Sequence, residues 1–295
     1  MKIEGLYTAL VTPVINDRID AAAFGRLIDH VTYGGSDGLV VLGGTGEYGA
    51  LTMEQRIGAI AYCLEKTAGN LPVVVGILNP GLYDAIDMGR RSKDLGADAI
   101  MLVTPYYVLA DHEGLISYYL SFMDAVDLPL ILYNIPYRTM VNMQPETVAE
   151  IVERSNGQVI GIKECAPNVG QVSRLISMVS DRISVICGEE PLLYTESTMG
   201  ATAAILATSN VIPRFWKEML TTIGNGDIAQ AVKMHLEIQP FLKAVFSESN
   251  PGPLKASLKH AGIDCGDALP PLHAPGKAVM ERLAQEMQRI EKWWK

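Results

Sequence analysis

Two stretches of the chain end in side chains that could do chemistry on a carbonyl compound. The apolar run VIGIKE closes on Lys163, and PLILYN, which begins thirty residues earlier, carries Tyr133 near its end. A lysine at the end of a buried strand has apolar chain beneath it. Desolvation there disfavours the ammonium and frees the amine to attack a carbonyl. A phenol beside such an amine can carry protons between substrate and nitrogen. Arg138, in YNIPYRT, has the planar fork that grips a carboxylate. Each of the three also has an ordinary reading: a lysine that snorkels to water, a core tyrosine satisfied by backbone, an arginine in a surface ion pair. Taken together they point to Schiff-base chemistry on a substrate that bears a carboxylate.

A second stretch, GGTGEYG, spells G-x-G-x-x-G with Gly44, Gly46 and Gly49. A dinucleotide site would need an acidic residue at the end of the next strand, and that strand ends in GILNP. Glu47 inside the loop would also repel a pyrophosphate. The loop's backbone N–H groups suit a small carboxylate better. Metal chemistry has little to stand on. His30, His112, His235, His260 and His273 show no ligand spacing, and Asp111-His112-Glu113 reads as a helix start.

These residues need elements to hold them. Eight short apolar runs, at 6–13, 38–44, 72–78, 99–105, 129–134, 159–164, 183–189 and 203–209, alternate with helix-period segments. Near-continuous apolar composition is what parallel strands buried on both faces require. Thr52 and Gln55 form a capping-box pattern, Pro145 sits at a helix start, and Phe24, Leu27, Ile28 and Val31 recur at helix spacing. The pattern predicts an α/β fold, a (β/α)8 TIM barrel, over residues 1–223, with an open doubly wound sheet as the alternative. Helical segments at 211–223, 226–247, 251–262 and 275–293 follow, so residues 224–295 read as a C-terminal helical extension. A barrel places its active site at the C-terminal ends of its strands. Those ends offer Thr12, Thr45, Glu47, Asn79, Tyr106, Tyr107, Tyr133, Asn134, Lys163, Glu164, Gly188, Glu189, Ser209 and Asn210.

Composition narrows the classes of partner. A net charge of −9 argues against nucleic acid or an anionic membrane surface. No apolar run is long enough to span a bilayer, and the start MKIEGLYTALVTP lacks the apolar core of a signal peptide. Cys63, Cys165, Cys187 and Cys265 are scattered without a CxxC, which fits a reducing cytoplasm.

Along essentially its whole length the sequence resembles the dihydrodipicolinate synthase and N-acetylneuraminate lyase family. The motifs come in order: TPVINDRID, GGTGEYGALT, TPYY, LPLILYNIPYRT, VIGIKE, CGEE and SNPGPLK. The resemblance implies that Lys163 captures pyruvate as a covalent imine, with no separate cofactor, and that Tyr133 shuttles protons. It implies that Thr45, next to Gly44, holds the pyruvate carboxylate, that the Ile205 carbonyl faces the site, and that Gly188 lines it. Tyr107 matches a tyrosine that reaches into a neighbouring subunit, so a homo-oligomer, a dimer or a dimer-of-dimers tetramer, is implied. Arg138 matches the arginine that synthases use for the aldehyde's carboxylate, and sialic acid lyases generally lack it. The sequence departs from the family at Gly44, where synthases carry a relay threonine, and at GILNPG and VLA. At the family's lysine-inhibitor pocket it carries Met53 and Arg56. The expected activity is synthase-like condensation of pyruvate with aspartate semialdehyde. The rivals are a 2-oxo-acid aldolase or dehydratase acting on a sugar acid or hydroxy-oxoacid, and a catalytically silent barrel that binds a small molecule.

Overall fold

In the computed structural model, which describes residues 2–295, every one of the eight apolar runs contains a strand. They are β1 (Gly5–Ala9), then, after a small hairpin of β2 (Val14–Ile15) and β3 (Arg18–Ile19), β4 (Gly38–Leu42), β5 (Val73–Ile77), β6 (Ala99–Val103), β7 (Leu130–Asn134), β8 (Val159–Glu164), β9 (Ser184–Cys187) and β10 (Ala203–Leu206). The larger sheet closes into a barrel in the order β1-β10-β9-β8-β7-β6-β5-β4, with β1 parallel to β4 and the run from β5 to β10 parallel throughout. Helices occupy the connections, as the alternation requires. This is the expected (β/α)8 barrel. The hairpin was not anticipated. Its turn residues Asn16 and Asp17 both take positive φ (50° and 59°), the backbone that a two-residue hairpin loop demands.

The helices are α1 (Ala21–Tyr33), α2 (Met53–Thr67), α3 (Leu82–Leu95), α4 (His112–Ala125), α5 (Pro136–Thr139), α6 (Pro145–Arg154), α7 (Val169–Val179), α8 (Leu193–Met199), α9 (Pro213–Gly224), α10 (Ile228–Val245), α11 (Gly252–His260) and α12 (Lys277–Arg289). Their starts obey local chemistry. Thr52 and Gln55 form the full capping box on α2, Pro145 opens α6, and Asp111 caps α4 by accepting from the Gly114 N–H. Among the described residues no helix is long and apolar enough to cross a membrane.

By contact the chain separates into two compact units. One holds the N-terminal residues to Gly5 together with Pro72–Ile205, and the other holds Leu6–Leu71 and Leu206–Lys295. In the first, α6 buries Val148, Ile151 and Val152, and α7 buries Val172, Leu175, Ile176 and Val179. Each such side chain contributes roughly 1.5–3 kcal/mol of transfer free energy. Below them β7, β8 and β9 pair side by side. Tyr133 lies opposite Lys163, which lies opposite Ile186, and Asn134 lies opposite Glu164, which lies opposite Cys187. In the second unit Tyr7, Thr8 and Ala9 of β1 pair with Gly38, Leu39 and Val40 of β4. The helices from α9 onward belong to this unit.

Candidate active site

Side chains alternate faces along a strand. The register that sets Tyr133 opposite Lys163 therefore puts both on one face, and puts Asn134 and Glu164 on the other. On the first face the Lys163 amine lies 4.7 Å from the centre of the Tyr133 ring. Both side chains are buried, Lys163 at 7% exposure and Tyr133 at 5%. Burial drives the Tyr133 phenol well above its usual range. The Cys165 thiol adds to this, the positive charge of Arg138 opposes it, and Glu189 and Glu190 add again. The phenol is thus a proton-bearing group at neutral pH, beside an amine on the next strand.

Gly188 makes room for this arrangement. A Cβ there would lie 2.8 Å from Lys163 Cε, 2.3 Å from Cys165 Sγ and 2.9 Å from the Glu164 carbonyl oxygen. The Gly188 N–H donates to that same carbonyl at 2.9 Å, so the backbone is tied close and cannot retreat. Glycine at this point is what lets the β9 loop pass against the lysine. Ile205, on β10, is wholly buried.

On the opposite face Asn134 and Glu164 form a hub, both fully buried. Asn134 Nδ2 donates to both Glu164 oxygens (2.9 and 3.1 Å) and to Asn142 Oδ1 (2.9 Å). Asn134 Oδ1 accepts from the Met143 N–H, and Glu164 Oε1 accepts from the Ala166 N–H at 2.6 Å. Asn142 in turn exchanges hydrogen bonds with Gln171 on α7. The two loops that leave β7 and β8 are therefore pinned to one buried pair. Burial pushes Glu164 up to about 7, against the lowering effect of its N–H donors.

The β7 loop continues into α5, which presents Tyr137 and Arg138, both exposed. The Tyr137 hydroxyl donates to Glu189 Oε1 at 2.8 Å. Arg138 stands close enough to Tyr133 for its charge to be felt at the phenol. Tyr107 is not drawn into this cluster. It is 93% exposed and takes a φ of +72°, a backbone that a bulky aromatic rarely adopts. Val108 and Leu109 after it are also exposed.

In the other unit the GGTGEYG loop is built around buried polar contacts. Asn250 Nδ2 donates to Thr45 Oγ1 at 3.0 Å, and Lys255 Nζ lies 2.5 Å from Glu47 Oε2 with both side chains buried. Thr12 Oγ1 donates to the Gly46 carbonyl, and Glu47 Oε1 accepts from the Leu269 N–H. A Cβ at Gly46 would meet the Leu42 backbone at 2.6 Å, so that glycine is obligatory, whereas a Cβ at Gly44 would meet nothing within 4 Å. Among the described residues no group of three or more His, Cys, Asp or Glu side chains could hold a metal ion.

Reading the sequence picked out Lys163, Tyr133, Gly188 and Arg138, which the first unit gathers, and Thr45 and Gly44, which share one loop of the second. It missed Tyr137, Cys165, Asn142 and Gln171, whose roles depend on loop paths. It also missed Asn250 and Lys255. For Lys255 a signal was available: an acid inside a buried glycine-rich loop calls for a cation, and SNPGPLK holds one.

The model of the dihydrodipicolinate synthetase family matches residues 2–290. The 4-hydroxy-tetrahydrodipicolinate synthase of Geobacter metallireducens is 33% identical over 288 residues, which cover 98% of this chain and 99% of the relative. The dihydrodipicolinate synthase structure from Thermotoga maritima superposes with a TM-score of 0.95 at 30% identity, covering 98% of each chain. The chloride-inhibited dihydrodipicolinate synthase of Acinetobacter baumannii, solved in complex with pyruvate, gives a TM-score of 0.94 at 30% identity, over 98% of this chain and 99% of that one.

Proposed function

The chain belongs to the dihydrodipicolinate synthetase family and is an enzyme of the lyase or synthase type, and on that premise we propose that it condenses pyruvate with aspartate semialdehyde through an imine on Lys163. The observation that carries the proposal is the buried Lys163–Tyr133 pair, amine over phenol at 4.7 Å on neighbouring strands. That a solved relative was captured with pyruvate supports the first substrate. In the proposed sequence the Lys163 lone pair adds to the keto carbon and Tyr133 delivers the proton with which the hydroxyl leaves as water. The imine gives up a methyl proton to the Tyr133 phenolate and becomes an enamine, whose carbon attacks the aldehyde. Tyr133 then protonates the new alkoxide. No other cofactor is invoked. Arg138, exposed at the end of α5, is the proposed anchor for the aldehyde's carboxylate. The part assigned to Thr45, gripping the pyruvate carboxylate, rests on the resemblance.

One observation favours a second reading of the aldehyde partner. By the resemblance a relay threonine stands where this chain has Gly44, a Cβ at which would meet nothing within 4 Å, and its loss would suit a bulkier sugar acid or hydroxy-oxoacid. We further propose a homo-oligomer, because Tyr107, Val108 and Leu109 form an exposed apolar run on a backbone held at positive φ. A cytoplasmic setting accords with four free, buried thiols.

The experiment is borohydride reduction in the presence of pyruvate, with the adduct mapped by mass spectrometry. It is followed by kcat/KM for aspartate semialdehyde in the native chain, Gly44→Thr and Arg138→Ala. A single reduced pyruvyl group on Lys163 is expected, with turnover lowered by Arg138→Ala and raised by Gly44→Thr. A label elsewhere, or none, would sink the imine. Negligible turnover that neither substitution changes would remove the synthase reading in favour of the second.

A further inference from the structure

The Tyr137–Glu189 hydrogen bond has a place in the strand order that gives it a consequence. Strands β7, β8 and β9 lie side by side, with Lys163 on the middle one, opposite Tyr133 on one flank and Ile186 on the other. Tyr137 stands in α5, just beyond the strand that carries Tyr133, and Glu189 stands in the loop beyond Ile186. Two strand spacings separate the flanks, about 9.5 Å. Only long side chains can close that gap, and here a phenol and a carboxylate do so at 2.8 Å.

The bond must therefore pass across the end of β8. Cys165, the first residue beyond that strand, is two positions past Lys163 and so on the lysine's face. Its thiol is buried, and a Cβ at Gly188, the residue before Glu189, would lie 2.3 Å from that Sγ and 2.8 Å from Lys163 Cε. The bridge thus lies over the lysine's side of the strand and not over the Asn134–Glu164 side. Burial pushes the Tyr137 phenol up, so it keeps its proton and stays a donor to the carboxylate. Arg138 follows it in the same short helix.

We propose that Tyr137, held by Glu189, is a specificity-determining residue that limits the length of the second carbonyl substrate. The inference rests on the reading that Lys163 carries the first substrate as an imine and that a second carbonyl compound comes to it. A chain that must lie between the lysine's face and the Tyr137 ring is bounded by that ring, and removing the ring removes the bound.

The test compares succinate semialdehyde with the longer adipate semialdehyde, both carrying the carboxylate that Arg138 would take. Their kcat/KM ratio is measured in the native chain, Tyr137→Phe and Tyr137→Ala, alongside borohydride trapping of pyruvate on Lys163. Tyr137→Ala should shift the ratio towards the longer aldehyde roughly tenfold or more, the size of effect that a few methylenes exert in a shaped pocket. Tyr137→Phe keeps the ring but not the tether and should fall between the two. Trapping should stay within about twofold of native in all three. Tyr137 is half exposed, and Tyr137→Ser replaces the alanine variant if that does not fold. Intact trapping with a selectivity ratio unchanged in the ring-deleted variant overturns this inference alone. Absence of trapping in the native chain overturns the underlying reading and this inference with it; trapping and turnover of aspartate semialdehyde without turnover of either test aldehyde overturns this inference alone.

Discussion

Gly188→Ala isolates the geometry of the lysine from the rest of the barrel. The added methyl would sit 2.3 Å from Cys165 Sγ and 2.8 Å from Lys163 Cε. Non-bonded heavy atoms prefer about 3.5–4.0 Å. The thiol must therefore move by more than about 1 Å and the lysine methylene by roughly 0.7 Å or more. The third neighbour, the Glu164 carbonyl at 2.9 Å, is backbone and is tied to the Gly188 N–H, so the strand cannot absorb the strain and the side chains must. Overpacking of this kind costs about 1–3 kcal/mol. For a chain of this size that is a fall in Tm of roughly 2–8 °C. The chemistry should suffer far more, because a misplacement near 1 Å costs on the order of a hundredfold in rate. The assay is the rate of borohydride-trapped pyruvate on Lys163 at saturating pyruvate, read beside a thermal melt. Adding Cys165→Ala relieves the shortest clash and should restore part of the lost Tm, while leaving the trapping rate low. A Gly188→Ala protein that traps within about threefold of the native rate would show that Lys163 does not depend on this close approach, and the argument from Gly188 would fail.

Two further outcomes follow from the site and its surroundings. Burial pushes Glu196, beside the Cys187 thiol, up to about 8 from an ordinary 4.5. The folded chain therefore holds a proton that the unfolded chain releases, and stability falls as pH rises through that window. Glu196→Gln cannot ionise, so its Tm relative to native should climb by about 5 °C between pH 5 and 8 and then level off; a pH-independent difference would refute the assignment. The exposed Tyr107 run predicts a dimer or larger species by sedimentation, with Tyr107→Phe lowering turnover more than pyruvate trapping; a fully active monomer would exclude it.

The strands were legible because β-branched runs flanked by glycine and proline have few other uses. Their ends were less so. The run at 6–13 continues through Leu10 and Val11, which are fully buried, yet β1 stops at Ala9. Apolar composition reports burial, and pairing is a separate matter. The helices of the extension could be bounded to within a few residues because NPGP and LPPLHAPG break them. The hairpin at Val14–Ile19 escaped notice although Asn16-Asp17 is a turn signal, since its strands have two residues each and no alternation to display. Lys163 and Tyr133 could be found because a strand end fixes where a side chain must be. Tyr137 could not, because it lies beyond the strand end in a short helix, and its meeting with Glu189, which a strand end did single out, is decided by loop paths that no periodicity encodes. The Asn134–Glu164 pair lay between these cases. The same thirty-residue offset that joins Tyr133 to Lys163 joins them too, and Y-N and K-E are one register read twice.

That shared register bears on how such a gene can change. Point substitutions in β7 or β8 exchange one side chain for another at a fixed address. Insertion or deletion of a single codon within either strand does something else. It turns every residue beyond it to the opposite face. Asn134 or Glu164 would then occupy the place of the phenol or the amine, and the displaced Tyr133 or Lys163 would be turned to the opposite face. An apolar barrel could tolerate this as packing, since both faces of these strands are buried, but the reaction could not. Descendants of this sequence are therefore free to drift in composition along the strands while the length of β7 and β8 stays frozen, and novelty by insertion is confined to the loops beyond their ends.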